Sequence, residues 1–491
     1  MVKRYLNQIT LKEAVEIIRS TPPVIGSRHL SLTDSVGHIL ADSLYAEYSV
    51  PEVPTSAMDG FSVVSSETAA AGDQTPVTLT NFERLNTGNP VENIFDAVVK
   101  VEDVWFLDEK TTEIVIRKSI NPGTNIRPPG EDIKKGQLIL PAGVKISPFN
   151  IGAIAAYGIT SVRVKRICAG IIPTGTELIS PGTRPAPGQV VESNTIMAEA
   201  YLRQFGIDVI RYPPVIDNRV LIHGAVEKAA DECDIVLISA GSSAGTKDFT
   251  SSVLSEMGEV LFHGISMKPG KPAMFGIINK KPVFGLPGYP LAAQTVLRVL
   301  VSELLDSWGW TGPEKNTVPV VLGSPVSSEG GVDEFGLYAA ARMGDHYTAI
   351  PLSRGASVQM TGVRSNIIVH IPIGVEGYEA GEVVDAILQV PKEDLDHTIL
   401  IAGVYDESID RLTEKCMKEG IRIRAGPASG ISALILLMNG ACHLASVSNE
   451  EDISICGSDK NTGKLGSLKL VARKVITDSK VRRVFELASQ I

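Results

Sequence analysis

Ile235-Val-Leu-Ile-Ser-Ala-Gly-Ser-Ser-Ala-Gly-Thr-Lys-Asp248 is the stretch that decides the fold. Four apolar residues read as a short strand, and the small residues from Ser239 to Gly245 read as a tight connection. Asp248 then stands at the start of a helix, a preferred capping position. In that helix Phe249, Val253, Leu254 and Met257 share one face at helical spacing. Working outward, the same alternation recurs from about residue 166 to 305. Strand-like runs lie at 167–172, 208–210, 235–239 and 283–286, with helical runs at 195–205, 219–230, 249–257 and 291–305. Strands alternating with helices imply parallel βαβ units and a sheet covered on both sides.

The flanks read differently. Thr10 and Glu13 form a capping-box pattern that opens a helix through about Arg19, stopped by Pro22-Pro23. Residues 30–165 are strand-rich and punctuated by Gly and Pro, as are residues 318–390, where the text suggests a small β-barrel or sandwich without helices. The tail, from Asp396 to Ile491, returns to strand–helix alternation. The fold class expected is therefore α/β multidomain, divided at 1–165, 166–316, 317–394 and 395–491.

Composition narrows the function classes. The chain has 491 residues, too many for a single core, and a net charge of −10. Neither a basic footprint for duplex nucleic acid nor an aromatic platform for single strands is present, with aromatic residues at 5%. An anionic substrate would need a local basic pocket. The five cysteines show no CxxC spacing, which argues against a zinc site or a disulfide framework. No apolar run approaches the roughly 20 residues of a membrane span. The expectation is a cytoplasmic protein without nucleic-acid or membrane partners.

In a doubly wound sheet, ligands bind beyond the carboxyl ends of strands. Three loops qualify: Pro173-Thr-Gly-Thr-Glu177, the 239–245 loop, and Pro287-Gly-Tyr-Pro290. Small residues at 239–245 let backbone N–H groups approach an anion at a helix N-terminus, although a plain βα turn has the same composition. Met267-Lys-Pro-Gly-Lys-Pro272 puts two lysines on one turn, able to face a single oxyanion or simply to be solvated. Asp59, Asp132, Glu177, Asp217 and Asp248 fall on loops, where carboxylates serve either as Mg²⁺ ligands or as caps and turn residues.

Six motifs in order carry a resemblance: Ser56-Ala-Met-Asp-Gly60, Asn125-Ile-Arg-Pro-Pro-Gly-Glu-Asp132, Pro173-Thr-Gly-Thr-Glu-Leu178, the 239–245 loop with Asp248, Phe262-His-Gly-Ile-Ser-Met-Lys-Pro-Gly-Lys-Pro272, and Gly285-Leu-Pro-Gly-Tyr-Pro290. The series resembles the MoeA family, including the gephyrin E domain, over about residues 1–394. That resemblance implies a molybdenum insertase, transferring molybdate or tungstate onto adenylylated molybdopterin with release of AMP. It implies a homodimer whose active site lies between subunits, and molybdopterin adenylyltransferase as a possible partner enzyme.

By the same resemblance Asp59, Thr87 and Asp132 come from an elongated β domain. Glu177, Asp217 and Asp248 come from the α/β domain, where they would hold Mg²⁺. Lys268 and Lys271 would hold the oxyanion. Ser239, Gly241, Ser242, Ser243 and Gly245 would cradle the phosphate, with Pro287 and Pro290 beside them. Asp59 is left as either proton acceptor or cation ligand.

The chain also departs from the family pattern. Thr176 stands where an acidic residue is common, Gly264 where some members carry lysine, and Glu92-Asn-Ile-Phe95 follows Thr87-Gly-Asn-Pro90 in place of Pro and Gly. Residues 355–361 lack the usual Ser-rich barrel turn, which removes the sequence basis for oxyanion contacts there. The stretch 399–447 resembles one lobe of a periplasmic-binding-protein-like domain, too short for a two-lobed module. Ser429 and Ser432 near a helix start are its candidate oxyanion contacts, against a shortened remnant or a dimer-stabilising unit that carries no site. Two rival functions share these features: adenylylation of molybdopterin, and a non-catalytic oxyanion- or cofactor-binding scaffold.

Overall fold

The structure is a computed structural model that describes residues 9–106, 112–239, 249–448, 453, 456, 460–473 and 478–491. The chain divides into two units, 25–166 and 1–24 with 167–491.

In the larger unit the 235–239 strand lies at the centre of a six-stranded sheet. Its order is Asp208–Arg211, Cys168–Pro173, Ile235–Ser239, Lys281–Leu286, Met274–Ile278, Glu259–His263. The first four strands are parallel, as expected from the alternation. Met274–Ile278 and Glu259–His263 join through antiparallel pairings, and the sequence reading missed both. The hairpin that joins Met274–Ile278 to Lys281–Leu286 turns on Asn279 and Lys280, which both take positive φ, at 50° and 66°. A two-residue loop with both centres left-handed is the turn that matches strand twist, but Asn-Lys is a weaker signature of it than Asn-Gly. Helices Arg219–Glu232 and Phe249–Met257 cover one face, where Ile222, Val226, Val253 and Leu254 meet Ile172, Val236 and Ile238. Asn218 caps the first of these by accepting from the amides of Val220 and Leu221.

The N-terminal helix, Leu11–Arg19, has both halves of its expected capping box, Thr10 and Glu13. It is anchored to the α/β part, because Arg19 pairs with Glu303 at 2.6 Å and the Trp308 indole donates to the Thr21 carbonyl.

Residues 317–388 close into a five-stranded barrel. Closure is achieved because Asp333–Met343 pairs with both His346–Pro351 and Ile367–Ile371. A short helix, Gln359–Arg364, corrects the expectation of a helix-free region. Six residues are too few to display a helical period.

The tail forms a five-stranded sheet in the order Arg422–Pro427, Thr398–Gly403, Leu444–Ser448, Leu468–Arg473, Lys460–Leu465. One face, with Ile399, Ile401 and Ile423, packs on helices Glu407–Met417 and Ser479–Ala488. The other face carries Leu400, Ala402 and Ala445. With Leu434 and Leu437 of helix Gly430–Met438 it shares one cluster with Ala339, Ala341, Ile350 and Leu352 of the barrel. The tail is thereby fused to the barrel by a common core.

In the smaller unit, Gly26–Ser31 and Ser161–Arg166 pair antiparallel. Two three-stranded sheets, built around Gly60–Val63 and Ile114–Ile116, share the core of Phe61, Val63, Val99, Ile114 and Ile116. One helix, Pro148–Ala156, breaks the strand-rich pattern. Its sequence is apolar nearly all round, so it shows no 3.6-residue period, and Ser147 with Asn150 caps it.

All five cysteines are free and buried. Among the described residues no helix is long and apolar enough to cross a membrane.

Candidate functional site

Parallel strands place their following loops on one edge of the sheet, and that edge carries a cavity of about 880 Å³. Its walls include Glu177, Ser239, Lys268, Lys271, Pro287 and Pro290, six residues singled out from sequence and distant along the chain. Gly241, Ser242, Ser243, Gly245 and Asp248 lie outside the described residues.

The two lysines sit on a turn that follows strand Met267–Lys268. Gly270 takes φ +120°, and a Cβ there would lie 2.5 Å from the Met267 methyl, so only glycine makes the bend without displacing a neighbour. Both lysines are exposed. The Lys268 ammonium lies 3.9 Å from the Glu329 carboxylate, a loose and solvated pairing that leaves it available to a stronger anion. Strand Met267–Lys268 runs beside Asp333–Met343 of the barrel. The turn is therefore a junction between two layers instead of a free hairpin.

The barrel supplies Arg354 and Ser357 to the same wall. Sequence reasoning missed Arg354 and set aside the 355–361 stretch. Arg354 is held 3.5 Å from Glu334, a carboxylate only 4% exposed, which in turn accepts from the Ser328 hydroxyl at 2.8 Å. A buried acid aims a cation at the cavity, and no local motif announces it. Asn194, also missed, donates to the Gly288 carbonyl at 2.8 Å and so fixes the 287–290 loop, while its own carbonyl oxygen is buried without a partner.

Asp217 does not line the cavity. It lies on the loop after the edge strand Asp208–Arg211 and is tied to the 174–178 loop. The Thr176 amide and hydroxyl each lie 3.4 Å from its carboxylate, and its own amide donates to the Thr176 hydroxyl at 3.2 Å. Thr176 thus replaces a like charge with a donor. Gly175 permits the loop: at φ +151° a Cβ would sit 2.8 Å from the Glu177 carboxylate. Among the described residues no three His, Cys, Asp or Glu side chains gather as a metal cage.

The other three residues lie in the 25–166 unit, and two of them meet there. Thr87 is presented by a turn in which Gly88 donates to the Ser56 carbonyl. Its amide and hydroxyl both donate to Asp59 Oδ1, at 2.6 and 2.9 Å. These bonds, the amide first, hold the Asp59 carboxyl below the usual carboxylate range. Asp132 has a different partner, accepting from the Tyr157 hydroxyl at 2.9 Å. The proximity of that carboxylate raises the Tyr157 pKa.

Known proteins resemble this chain over much of its length. The MoeA N-terminal region (domain I and II) matches residues 9–158, and the probable molybdopterin binding domain matches residues 170–307. The chain is 31% identical to molybdopterin molybdenumtransferase 2 of Mycobacterium tuberculosis, over 65% of this chain and 84% of that one. It is 30% identical to molybdopterin molybdenumtransferase of Haemophilus influenzae, over 60% and 77% respectively. A crystal structure of a molybdopterin biosynthesis MoeA protein from Pyrococcus horikosii superposes with a TM-score of 0.65 at 29% identity, covering 78% of this chain and 99% of that one. The chain therefore belongs to the MoeA family of molybdopterin molybdenumtransferases, enzymes of molybdenum cofactor biosynthesis.

Proposed function

We propose that the protein transfers molybdate, or tungstate, onto adenylylated molybdopterin with release of AMP. The observation that carries this reading is the convergence of Lys268, Lys271 and Arg354 on the cavity that Glu177 and Pro287–Pro290 complete. In a chain of net charge −10 such a cluster is a local anion site. Three cations from two layers suit a tetrahedral dianion, because ammonium and guanidinium donors can approach different oxygens. The 239–245 loop would receive the phosphate.

Mg²⁺ takes oxygen ligands and accepts one or two carboxylates beside substrate phosphates, and the neighbouring loops that carry Glu177 and Asp217 match that donor chemistry. Those two residues, with Asp248, would hold it; when bound, the ion neutralises charge on the phosphoanhydride. The chain's own groups then position the oxyanion against the pterin, since no nucleophilic side chain is needed for a step governed by positioning and charge.

We place the complete site between the subunits of a cytoplasmic homodimer, as in the family the chain resembles. Asp59, Thr87 and Asp132 of the partner subunit would face the lysines. The ionised Asp59 suits either a proton acceptor or a contact to the cation. Asp59 and its motif also favour insertion over the preceding adenylylation step, which needs only the α/β fold.

The test is incubation with adenylylated molybdopterin, molybdate and Mg²⁺, following AMP and active cofactor. Both should appear together. No AMP and no cofactor, or ATP-dependent adenylylation of free molybdopterin instead, would defeat the reading.

A further inference from the structure

The helix that opens at Pro290 relaxes into a π turn at Leu297–Val301 before Ser302–Ser307. Such turns are rare and concentrate at functional places. Arg298 lies in this one. Its Nε is buried and finds no hydrogen-bond partner among the described residues. The acids along the same helix are engaged elsewhere: Glu303 pairs with Arg19 and Lys315, and Asp306 with Lys315 at 3.4 Å. Burial pushes the guanidinium below its usual range, with the Tyr201 phenol opposing in part. A buried guanidinium nitrogen without a hydrogen-bond partner is costly, and native proteins leave one where a ligand or ion supplies the missing partner.

Arg298 lines a second cavity, of about 640 Å³, between this helix and the barrel. Its walls are largely apolar, with Phe205, Leu291, Phe335, Leu337, Ile368 and Leu388 among them. Tyr201 and Phe205 stand edge to face at 5.4 Å on the same side. Lys268 and Arg354 belong to the rim of both cavities. A bare oxyanion would satisfy Arg298 but leave these walls against water. A ring with one acidic group satisfies both.

We propose that this second cavity binds an aromatic or heteroaromatic acid, its anionic group on Arg298 and its ring among Phe205, Leu337 and Phe335. The site adjoins the lysine cavity, sharing Lys268 and Arg354 with it, but its argument from Arg298 does not depend on the insertase reading. Two sources share the chemistry, a free aromatic acid acting as an effector and the adenylate half of an adenylylated substrate; only the second rests on that reading.

The probe is 8-anilino-1-naphthalenesulfonate, an aromatic anion whose fluorescence reports apolar burial, titrated into the full-length chain. We expect saturable binding of one probe per chain, weakened roughly tenfold or more by Arg298→Met and largely kept by Arg298→Lys. The uncharged analogue N-phenyl-1-naphthylamine should not distinguish wild type from Arg298→Met. Leu337→Trp, which fills the cavity and leaves the charge in place, should abolish probe binding. It carries the test alone if Arg298→Met does not fold by circular dichroism. AMP that displaces the probe identifies the adenylate source, and displacement only by free aromatic acids identifies an effector. Probe affinity unchanged in Arg298→Met, or unchanged in Leu337→Trp, overturns the proposal.

Discussion

Thr87 donates twice to a single oxygen of Asp59, through its amide at 2.6 Å and its hydroxyl at 2.9 Å. Both donors favour the charged carboxylate, so Asp59 stays ionised at pH values where an ordinary aspartate begins to protonate. Thr87→Val removes the hydroxyl and keeps the amide, which is the larger influence. The Asp59 pKa should therefore rise only part of the way back. Because a lowered carboxyl pKa means charge lost as pH falls, the acid limb of AMP release should move to higher pH in Thr87→Val. A carboxyl-carbon NMR titration of Asp59 checks the cause directly, and an unmoved titration would remove the explanation.

Lys268→Met and Lys271→Met should each weaken molybdate binding by roughly tenfold or more, since each deletes a charged donor. Both side chains are exposed, and substitutions of that kind usually change stability by about 0.5 kcal/mol or less. Molybdate isotherms beside thermal melts separate the two effects. Comparable losses in binding and stability would indicate a structural role.

The tail should be inseparable from the barrel. Leu434, fully buried, lies in the cluster shared with Ile350 and Leu352. Leu434→Ala should cost about 2–5 kcal/mol and lower the melting of barrel and tail together. Truncation after Pro391 should expose Ala339, Ala341, Ile350 and Leu352 and produce aggregation. A soluble truncated chain with unchanged melting would contradict the shared core.

His443 sets an acid limit on stability. Burial lowers its pKa to about 4, and its Nδ1 accepts from the Leu400 amide, which requires the neutral ring. An unfolded chain binds this proton near the ordinary value of about 6.5. Stability should therefore be full above that value and fall as pH drops towards the folded value, by on the order of 2 kcal/mol after allowing for partial exposure. His443→Gln should flatten this part of the urea-denaturation profile measured between pH 7 and 4; an unchanged slope would implicate other groups.

Much of the architecture was legible because it rests on local pattern. The strand–helix alternation around Ile235–Ser239 is written in the periodicity of its apolar residues, and the capping box of Thr10 and Glu13 is written in their spacing. The antiparallel hairpin at Asn279–Lys280 was not, because its turn geometry arises from two residues that signal it only weakly. The helix Pro148–Ala156 was hidden by being apolar on every side.

What the chain alone determined is the inventory: which residue types stand at the ends of parallel strands, and that lysines and carboxylates recur there in one family's order. What only the tertiary structure decided is which of them meet. Arg354 reaches the lysines because barrel closure brings the buried Glu334 beneath it, and Asp217 turns to Thr176 instead of the cavity because its loop follows an edge strand. Arg298 keeps a buried Nε without a hydrogen-bond partner among the described residues, while Glu303 and Asp306 pair with Arg19 and Lys315. Contacts between distant stretches depend on packing across layers, and no local periodicity encodes them.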